Sequence, residues 1–449
     1  MTNITKLRKG LDIPLEGVAE KKISAYNTGH YAVKPTDFRG IFPKLLVKEG
    51  DLVKAGTPLF FDKYQEQVMV VAPVSGKVTD IKRGKKRVIE EIRIDADETI
   101  VYESFSRIDP QQTDRDTLLA HLLKTGAFAL LRQRPYAVVA SPADKPKAIF
   151  ISGFDTAPLA PDMDLLVEGE AEAFQTGLHA LGKLTEGKVY LSLHPSRSKS
   201  QVLLNAKGVE IHYFEGPHPA GSVGVQIHHL SPVNKGEVVW YLSPQDVILM
   251  GRVLLHGKFD ATTLVALAGS EAKQRSYFRT IRGCSIDNMI KDNTLSTNIR
   301  YISGNILTGE QIDRNGYVGF FDHLVTLIPE GNYHEFFGWA LPGIGKFSVS
   351  RTFFSWLQPK RKYRLDTNTH GGRRAYVMSG EYENVLPMDI YPVHLIKAIL
   401  VEDIDLMENL GIYEVAEEDM ALCEYVCTSK MPVQQILRQG LDMIRKEMS

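Results

Sequence analysis

Apolar positions recur along this chain in three rhythms. From Pro43 to Ile94 short alternating runs (KLLVKEGDLV, then VMVVAPVSGKV) are broken by turn residues at Glu49-Gly50-Asp51, Ala55-Gly56-Thr57-Pro58 and Ser75-Gly76-Lys77. Period-two runs so punctuated predict a small antiparallel sandwich or barrel. From Thr113 the period lengthens. Leu118, Leu119, Leu122 and Leu123 share one helical face, and Gly126 is a stop signal. After a linker at Ser141–Lys147, strand and helix patterns alternate. Strands are expected at Ala148–Ser152, Val189–Leu193, Val209–Phe214 and Val238–Leu242. Between and after them come helices at Gly169–Leu184, Ser198–Ala206, from about Val225, and at Pro244–Leu255. Such alternation argues for a parallel, Rossmann-like sheet with ligands or partners at the carboxyl ends of its strands. The third rhythm, LVALAG, CSIDNMI and RYISGNILTG between Leu264 and about Ile328, gives strand, short helix and strand, which suits a β-grasp unit. Tyr333–Tyr391 is irregular and rich in aromatic, glycine and basic residues, the composition of a functional or partner-wrapping segment. The chain ends in a helix whose apolar face is Val433, Ile436, Leu437, Leu441 and Ile444.

The pattern divides the 449 residues into an α/β multidomain protein of four parts: 1–102, 103–256, 257–330 and 331–449. Composition adds mainly exclusions. An apolar content of 43% with 24% charged residues is that of an ordinary globular chain. A net charge of -1 gives no reason to expect nucleic acid as a partner. Three cysteines, Cys284, Cys423 and Cys427, are too few for a disulfide framework and suit a reducing compartment. The basic N-terminus has no apolar run behind it, so no signal peptide is expected, and no stretch is long enough for a spanning helix.

The candidate site is the loop FEGPHPAGSVGVQIHHLSPV, Phe214–Val233, at the end of an expected strand. Gly216, Pro217, Pro219, Gly221 and Gly224 leave it so poor in side chains that a ligand, a partner or the next element can approach the backbone. Gly216, His218 and Gly221 are its candidate ligand- or partner-binding residues, although the pattern is not a dinucleotide fingerprint. His212, His218, His228 and His229 crowd the loop without a metal-ligand spacing, so no metal is expected. Cys423-x3-Cys427 would place two thiols on one side of a helix, short of the four an iron–sulfur cluster takes. No catalytic residue is identifiable.

Two resemblances refine this reading. Gly50-Asp51-Leu52-Val53-Lys54-Ala55-Gly56 and Ala72-Pro73-Val74-Ser75-Gly76-Lys77-Val78 resemble the paired turns of biotinyl/lipoyl domains, with Asp62-Lys63 near the modified lysine's place. The spacing from Lys63 to Pro73 looks longer than in carriers, so an unmodified docking module is expected and a lipoylated carrier is the alternative. Along nearly its whole length the chain resembles the A-subunit family of the sodium-translocating NADH:quinone reductase. The resemblance rests on Lys9-Gly10-Leu11-Asp12-Ile13-Pro14, Ala72–Val78 with Arg83-Gly84 and Lys86-Arg87-Val88, Gly216-Pro217-His218-Pro219-Ala220-Gly221, Ile302-Ser303-Gly304, Phe337-Gly338-Trp339-Ala340, and Glu417-Glu418-Asp419 leading into Cys423 and Cys427.

It implies a biotinyl/lipoyl-like barrel-sandwich, a Rossmann-like domain, a soluble-ligand-binding β-grasp and a helical end. It also implies a peripheral position on the cytoplasmic face of a bacterial inner membrane. There the chain would dock on other subunits, above all the B-subunit in the membrane, in a complex that uses flavins, an iron–sulfur centre, NADH and ubiquinone to export sodium. Cofactor-holding relatives place a glycine-rich flavin loop where this chain has Lys124-Thr125-Gly126-Ala127-Phe128-Ala129-Leu130-Leu131-Arg132. One glycine among bulky neighbours denies a flavin phosphate its backbone approach. The expectation is therefore an accessory subunit without its own redox centre, shaping quinone access; a flavin-dependent oxidoreductase using the glycine loops is the alternative. Phe336–Arg374 is the expected partner interface.

Overall fold

In a computed structural model, residues 4–448 are described apart from His334 and Trp339; these two, which fall in or beside the expected interface segment, lie outside the described residues. The alternation between 43 and 96 resolves into two small antiparallel sheets. One orders Pro43–Leu45, Pro58–Asp62 and Gln65–Val71; the other orders His30–Val33, Ile89–Ala96, Gly76–Arg83 and Leu52–Val53. Lys77 and Thr79 face water while Val78, Ile92 and Ile94 are fully buried, as a two-residue period demands when one face is packed.

The second unit is built on four parallel strands in the order Glu210–Glu215, Lys188–Leu193, Ala148–Ser152, Val239–Leu242. Ile149, Phe150 and Ile151 read as an unbroken apolar run, and all three are buried, as expected of a strand covered on both faces. Arg132–Arg134 adds an antiparallel strand at one edge, and Ile4–Lys6 adds a parallel one at the other. The helices Ala171–Leu184 and Pro244–His256 cross where both carry glycine. A β-carbon on Gly251 would fall 1.8 Å from the Ala173 carbonyl oxygen, and one on Gly177 would fall 2.3 Å from that of Val247. Ser243 and Asp246 cap the second helix reciprocally, Pro244 opens it, and Gly257 closes it at φ 64°. The expected helix at 198–206 is shorter, Gln201–Leu204, and starts at its Ser200 cap; the one expected from about Val225 begins at Val223.

The third sheet runs Glu310–Ile312, Ile299–Ser303, Leu324–Pro329, Thr262–Ala268, Tyr277–Ile281, Ile23–Ala25. The helical end comprises Glu381–Val385, Pro392–Leu400, Ile404–Asn409, Ala421–Val426 and Val433–Met448. Val433, Ile436, Leu437, Leu441 and Ile444 are all buried, the face that their spacing predicts. Residues 4–33 cross the molecule: Ile4–Lys6 joins the parallel sheet, Ile23–Ala25 the third sheet, and His30–Val33 the barrel-sandwich. The N-terminal segment thus ties three sheets together before any of them is complete in sequence. No described helix is long and apolar enough to cross a membrane.

Candidate functional site

Gly216, His218 and Gly221 lie where the alternation predicts, at the carboxyl end of Glu210–Glu215. What approaches their backbone is the protein itself. A β-carbon on Gly216 would sit 2.7 Å from the Leu7 carbonyl oxygen, and one on Gly221 would sit 2.6 Å from the Thr156 amide nitrogen. From the other side, a β-carbon on Gly10 would meet the His218 carbonyl oxygen at 2.3 Å, at a φ of +137° that side chains avoid.

Hydrogen bonds lock these approaches. Leu7 N–H donates to Glu215 O at 2.8 Å, and Leu11 N–H to His218 O at 2.8 Å. His218 N–H donates to Asp12 Oδ1 at 2.9 Å. Gly221 N–H donates to Thr156 Oγ1 at 2.9 Å, and that hydroxyl lies 3.1 Å from His218 Nδ1. Ser152 Oγ donates to Gly221 O at 2.9 Å and accepts from Gln226 Nε2 at 2.8 Å. The imidazole of His218 is buried, and burial lowers its pKa to about 4, against a weaker opposing pull from Asp12. It is a neutral, structural histidine at physiological pH.

The neighbouring histidines are likewise engaged. His212 Nε2 pairs with Thr5 Oγ1 at 2.9 Å. His228 accepts from the Asp389 amide at Nε2, 3.0 Å, which leaves Nδ1 to donate to Glu414 at 2.7 Å. His229 Nε2 donates to Pro387 O at 3.0 Å. Among the described residues no three His, Cys, Asp or Glu side chains are grouped to hold a metal ion. Cys423 and Cys427 are both buried; the short helix stops at Val426, so Cys427 is its cap and accepts from the Met431 amide at 3.4 Å.

A charged centre that sequence reasoning missed lies beside the loop. Arg134 is fully buried. Its Nη1 donates to Asp419 Oδ2 at 2.5 Å and to the Glu414 carbonyl at 3.3 Å, and its Nη2 to Glu418 at 2.7 Å. Burial works against the charge, but Asp419 and Glu418 outweigh it and raise the pKa. The Asp419 carboxylate packs against Gly224, where a β-carbon would come within 2.2 Å of it, at the start of the helix Val223–Leu230. The acidic residues come from the helical end, 285 positions along the chain from Arg134 in the case of Asp419. No local pattern announces such a pair; the run Glu417-Glu418-Asp419 ahead of a helix was visible, but its partner was not. A second buried pair, Arg282 Nη1 to Asp246 Oδ1 at 2.6 Å, joins the parallel sheet's last helix to the third sheet.

Two further expected positions have contacts of their own. In Lys124–Arg132 the residues Ala127 to Leu131 are all buried. The single Gly126 adopts φ 75°, and a β-carbon there would meet Val71 of the barrel-sandwich at 2.6 Å. Lys63 stands with Tyr64 at the two-residue turn between Pro58–Asp62 and Gln65–Val71, its Nζ 5.1 Å from the Tyr64 ring centre.

Fold and site together describe a multidomain α/β chain with a barrel-sandwich front, a helical end and a glycine loop that its own N-terminal segment fills. Family models described as the NqrA N-terminal barrel-sandwich hybrid domain, the NqrA second alpha/beta domain and the NQRA C-terminal domain match residues 5–97, 113–259 and 264–314. Proteins named as the A-subunit of Na(+)-translocating NADH-quinone reductase are similar along the whole chain. That of Yersinia pestis bv. Antiqua (strain Angola) is 38% identical over 98% of this chain and 99% of its own. That of Rhodopirellula baltica (strain DSM 10527 / NCIMB 13988 / SH1) is 38% identical over 99% of both, and that of Vibrio atlanticus (strain LGP32) is 36% identical over 98% and 99%. The chain belongs to the NqrA family, the A-subunits of the Na(+)-translocating NADH-quinone reductase. Among solved structures, an air-oxidized NAD+-reducing NiFe-hydrogenase overlaps 76% of this chain and 62% of its own at 10% identity and a TM-score of 0.38, too distant to bear on fold or function.

Proposed function

We propose that this chain is the peripheral A-subunit of a sodium-pumping NADH:quinone oxidoreductase, docked on the membrane subunits, chiefly the B-subunit, at the cytoplasmic face. It holds no redox centre of its own and acts by positioning its partners and shaping quinone access; the flavins, iron–sulfur centre, NADH and ubiquinone belong to the complex. The second unit is taken as Rossmann-like and the third as a β-grasp, with domains at 1–102, 103–256, 257–330 and 331–449.

The observation that carries the proposal is the filled loop. Gly216 and Gly221 have this chain's backbone at 2.7 and 2.6 Å from where their β-carbons would be, which leaves no room there for a flavin phosphate. Gly216, His218 and Gly221 then form an internal junction with residues 7–12. The buried run Ala127–Leu131 supports the same reading. An absorption spectrum and intact mass of the purified chain test it. A colourless protein of sequence mass is expected; a flavin or iron–sulfur band, or added mass at Lys63, would replace it with the flavoenzyme or the carrier reading. For docking, Arg373→Glu with Arg374→Glu, both residues exposed, is expected to reduce co-purification of the complex; unchanged recovery would remove that face from the interface.

A further inference from the structure

The segment between Gly331 and Thr367 is pinned at its base. Tyr363 is buried, pairs with Leu15 and accepts at its carbonyl from Glu16 N–H at 3.0 Å. Arg364 Nε donates to Glu271 at 2.7 Å, and Gly331 N–H to Thr367 Oγ1 at 2.8 Å. Beyond that base Phe347 packs against Tyr363 and Ser355 is buried, and the segment forms one short helical turn, Phe354–Leu357. Large apolar side chains stand in water there: Phe336 is 87% exposed, Leu357 62%, Phe354 57%, and Leu341, Ile344 and Trp356 just over half. Interleaved with them, residues 336–362 carry five basic side chains (Lys346, Arg351, Lys360, Arg361, Lys362) and no acidic one, in a chain whose net charge is -1; Lys346 pairs with Glu335 just before them, which leaves four. Arg351, Lys360 and Lys362 make no ion pair among the described residues, and all three are exposed.

We propose that this arm seats on the anionic surface of a lipid bilayer. Aromatic and leucine side chains interleaved with lysine and arginine, on a segment that cannot span, are the chemistry of interfacial insertion. Four to eight basic residues beside such side chains are attracted by anionic headgroups, at roughly a fivefold gain in binding per residue. An acidic protein partner would equally answer the charge. However, it would have to cover apolar side chains spread along the segment from Phe336 to Leu357, whereas the headgroup region takes them one by one. The inference deepens the docking proposal, and its experiment uses the chain alone so that the two fail separately.

The full chain is titrated with vesicles of phosphatidylglycerol and phosphatidylethanolamine, and with neutral phosphatidylcholine vesicles, at low and high salt. Binding to the anionic vesicles alone, weakened by salt, is expected, with a blue-shifted tryptophan emission that Trp356→Phe reduces. Arg351→Glu with Lys360→Glu and Lys362→Glu should weaken binding about a hundredfold or more with an unchanged melting temperature, and Arg351→Lys should bind as the native chain does. Equal binding to both kinds of vesicle, or a triple variant that binds like the native chain, overturns the proposal. So does a chain that ignores vesicles while the triple variant loses its hold on the detergent-solubilised complex, which would give the arm to a protein partner.

Discussion

The loop Phe214–Ser222 and the arm 336–362 are alike in composition, both rich in glycine, proline and aromatic or imidazole rings, and opposite in structure. In the loop, glycine marks places where this chain's own backbone closes in: Gly10 against His218, Gly216 against Leu7, Gly221 against Thr156. In the arm the glycines divide: a β-carbon on Gly345 would find one atom within 4 Å, the Arg361 guanidinium at 3.7 Å, whereas one on Gly338 would meet the Glu335 carboxylate at 2.3 Å and one on Gly343 the Phe353 ring at 2.1 Å. The apolar residues follow suit, with Phe214 and Ala220 fully buried and Phe336 and Leu357 in water. Glycine in the loop therefore marks the approach of backbone from distant parts of the chain, and in the arm at most the approach of side chains from the same segment; only the surrounding contacts tell the two apart. A loop that is satisfied internally is a joint; a segment that is not has a partner to find.

The largest expected effect tests how far the joint extends. Arg134 ties the sheet beside the loop to Glu418 and Asp419 of the helical end. Arg134→Met leaves Asp419, itself buried, without its cation, and loss of one partner of a buried pair costs about 3–5 kcal/mol. Urea unfolding should show that loss together with early release of the helical end in hydrogen exchange. A variant within about 1 kcal/mol of the native chain would mean that the pair is dispensable. Next comes Gly10→Ala, which adds a β-carbon 2.3 Å from a carbonyl oxygen at a φ of +137°. Strain and overpacking together predict a loss of roughly 3 kcal/mol, read from the same denaturation curve.

The joint also carries a pH signature. His218 titrates near 4 when folded and near 6.5 when unfolded, so the unfolded chain binds the extra proton. The stability held at neutral pH is then lost as pH falls from 6.5 through 4, by at most about 3 kcal/mol at roughly 1.36 kcal/mol per unit. His218→Asn should flatten that part of the stability profile. An unchanged slope between pH 6.5 and 4 would assign it to other groups.

Much of the frame was legible because burial imposes a period. The four parallel strands, the helix at 244–256 and the inward face of the last helix were readable from where Ile149–Ile151, Pro244 and Val433–Ile444 fall. What could not be read depends on contacts between distant positions. Ile4–Lys6 is three residues with no pattern of its own, and only its register against Tyr213–Glu215 makes it a strand. The strands at 277–281 and 324–329 pair with Thr262–Ala268, one antiparallel and one parallel, and no local pattern names those partners. For the site, the sequence located Gly216, His218 and Gly221 but could not say what stands against them. Asp12 lies 206 positions from His218, with Gly10 further still, and Arg134 is as remote from Asp419.

The smallest expected effect completes the contrast, because it asks whether the exposed stretch that follows the arm's base has any packing to lose. A β-carbon on Gly372 would meet nothing within 4 Å, and on Gly371 only the Lys430 side chain at 3.9 Å. Neither glycine sits at a positive φ, so alanine adopts the native backbone there and slightly restricts the unfolded chain. Gly372→Ala should leave stability within about 0.5 kcal/mol of the native chain, on either side. Set beside Gly10→Ala, the same added methyl group then differs severalfold in cost between the joint and the exposed stretch that follows the arm. If Gly372→Ala instead cost about 2 kcal/mol or more, residues of this chain would have to close over that position, and the difference between the filled loop and the open stretch after the arm would fail.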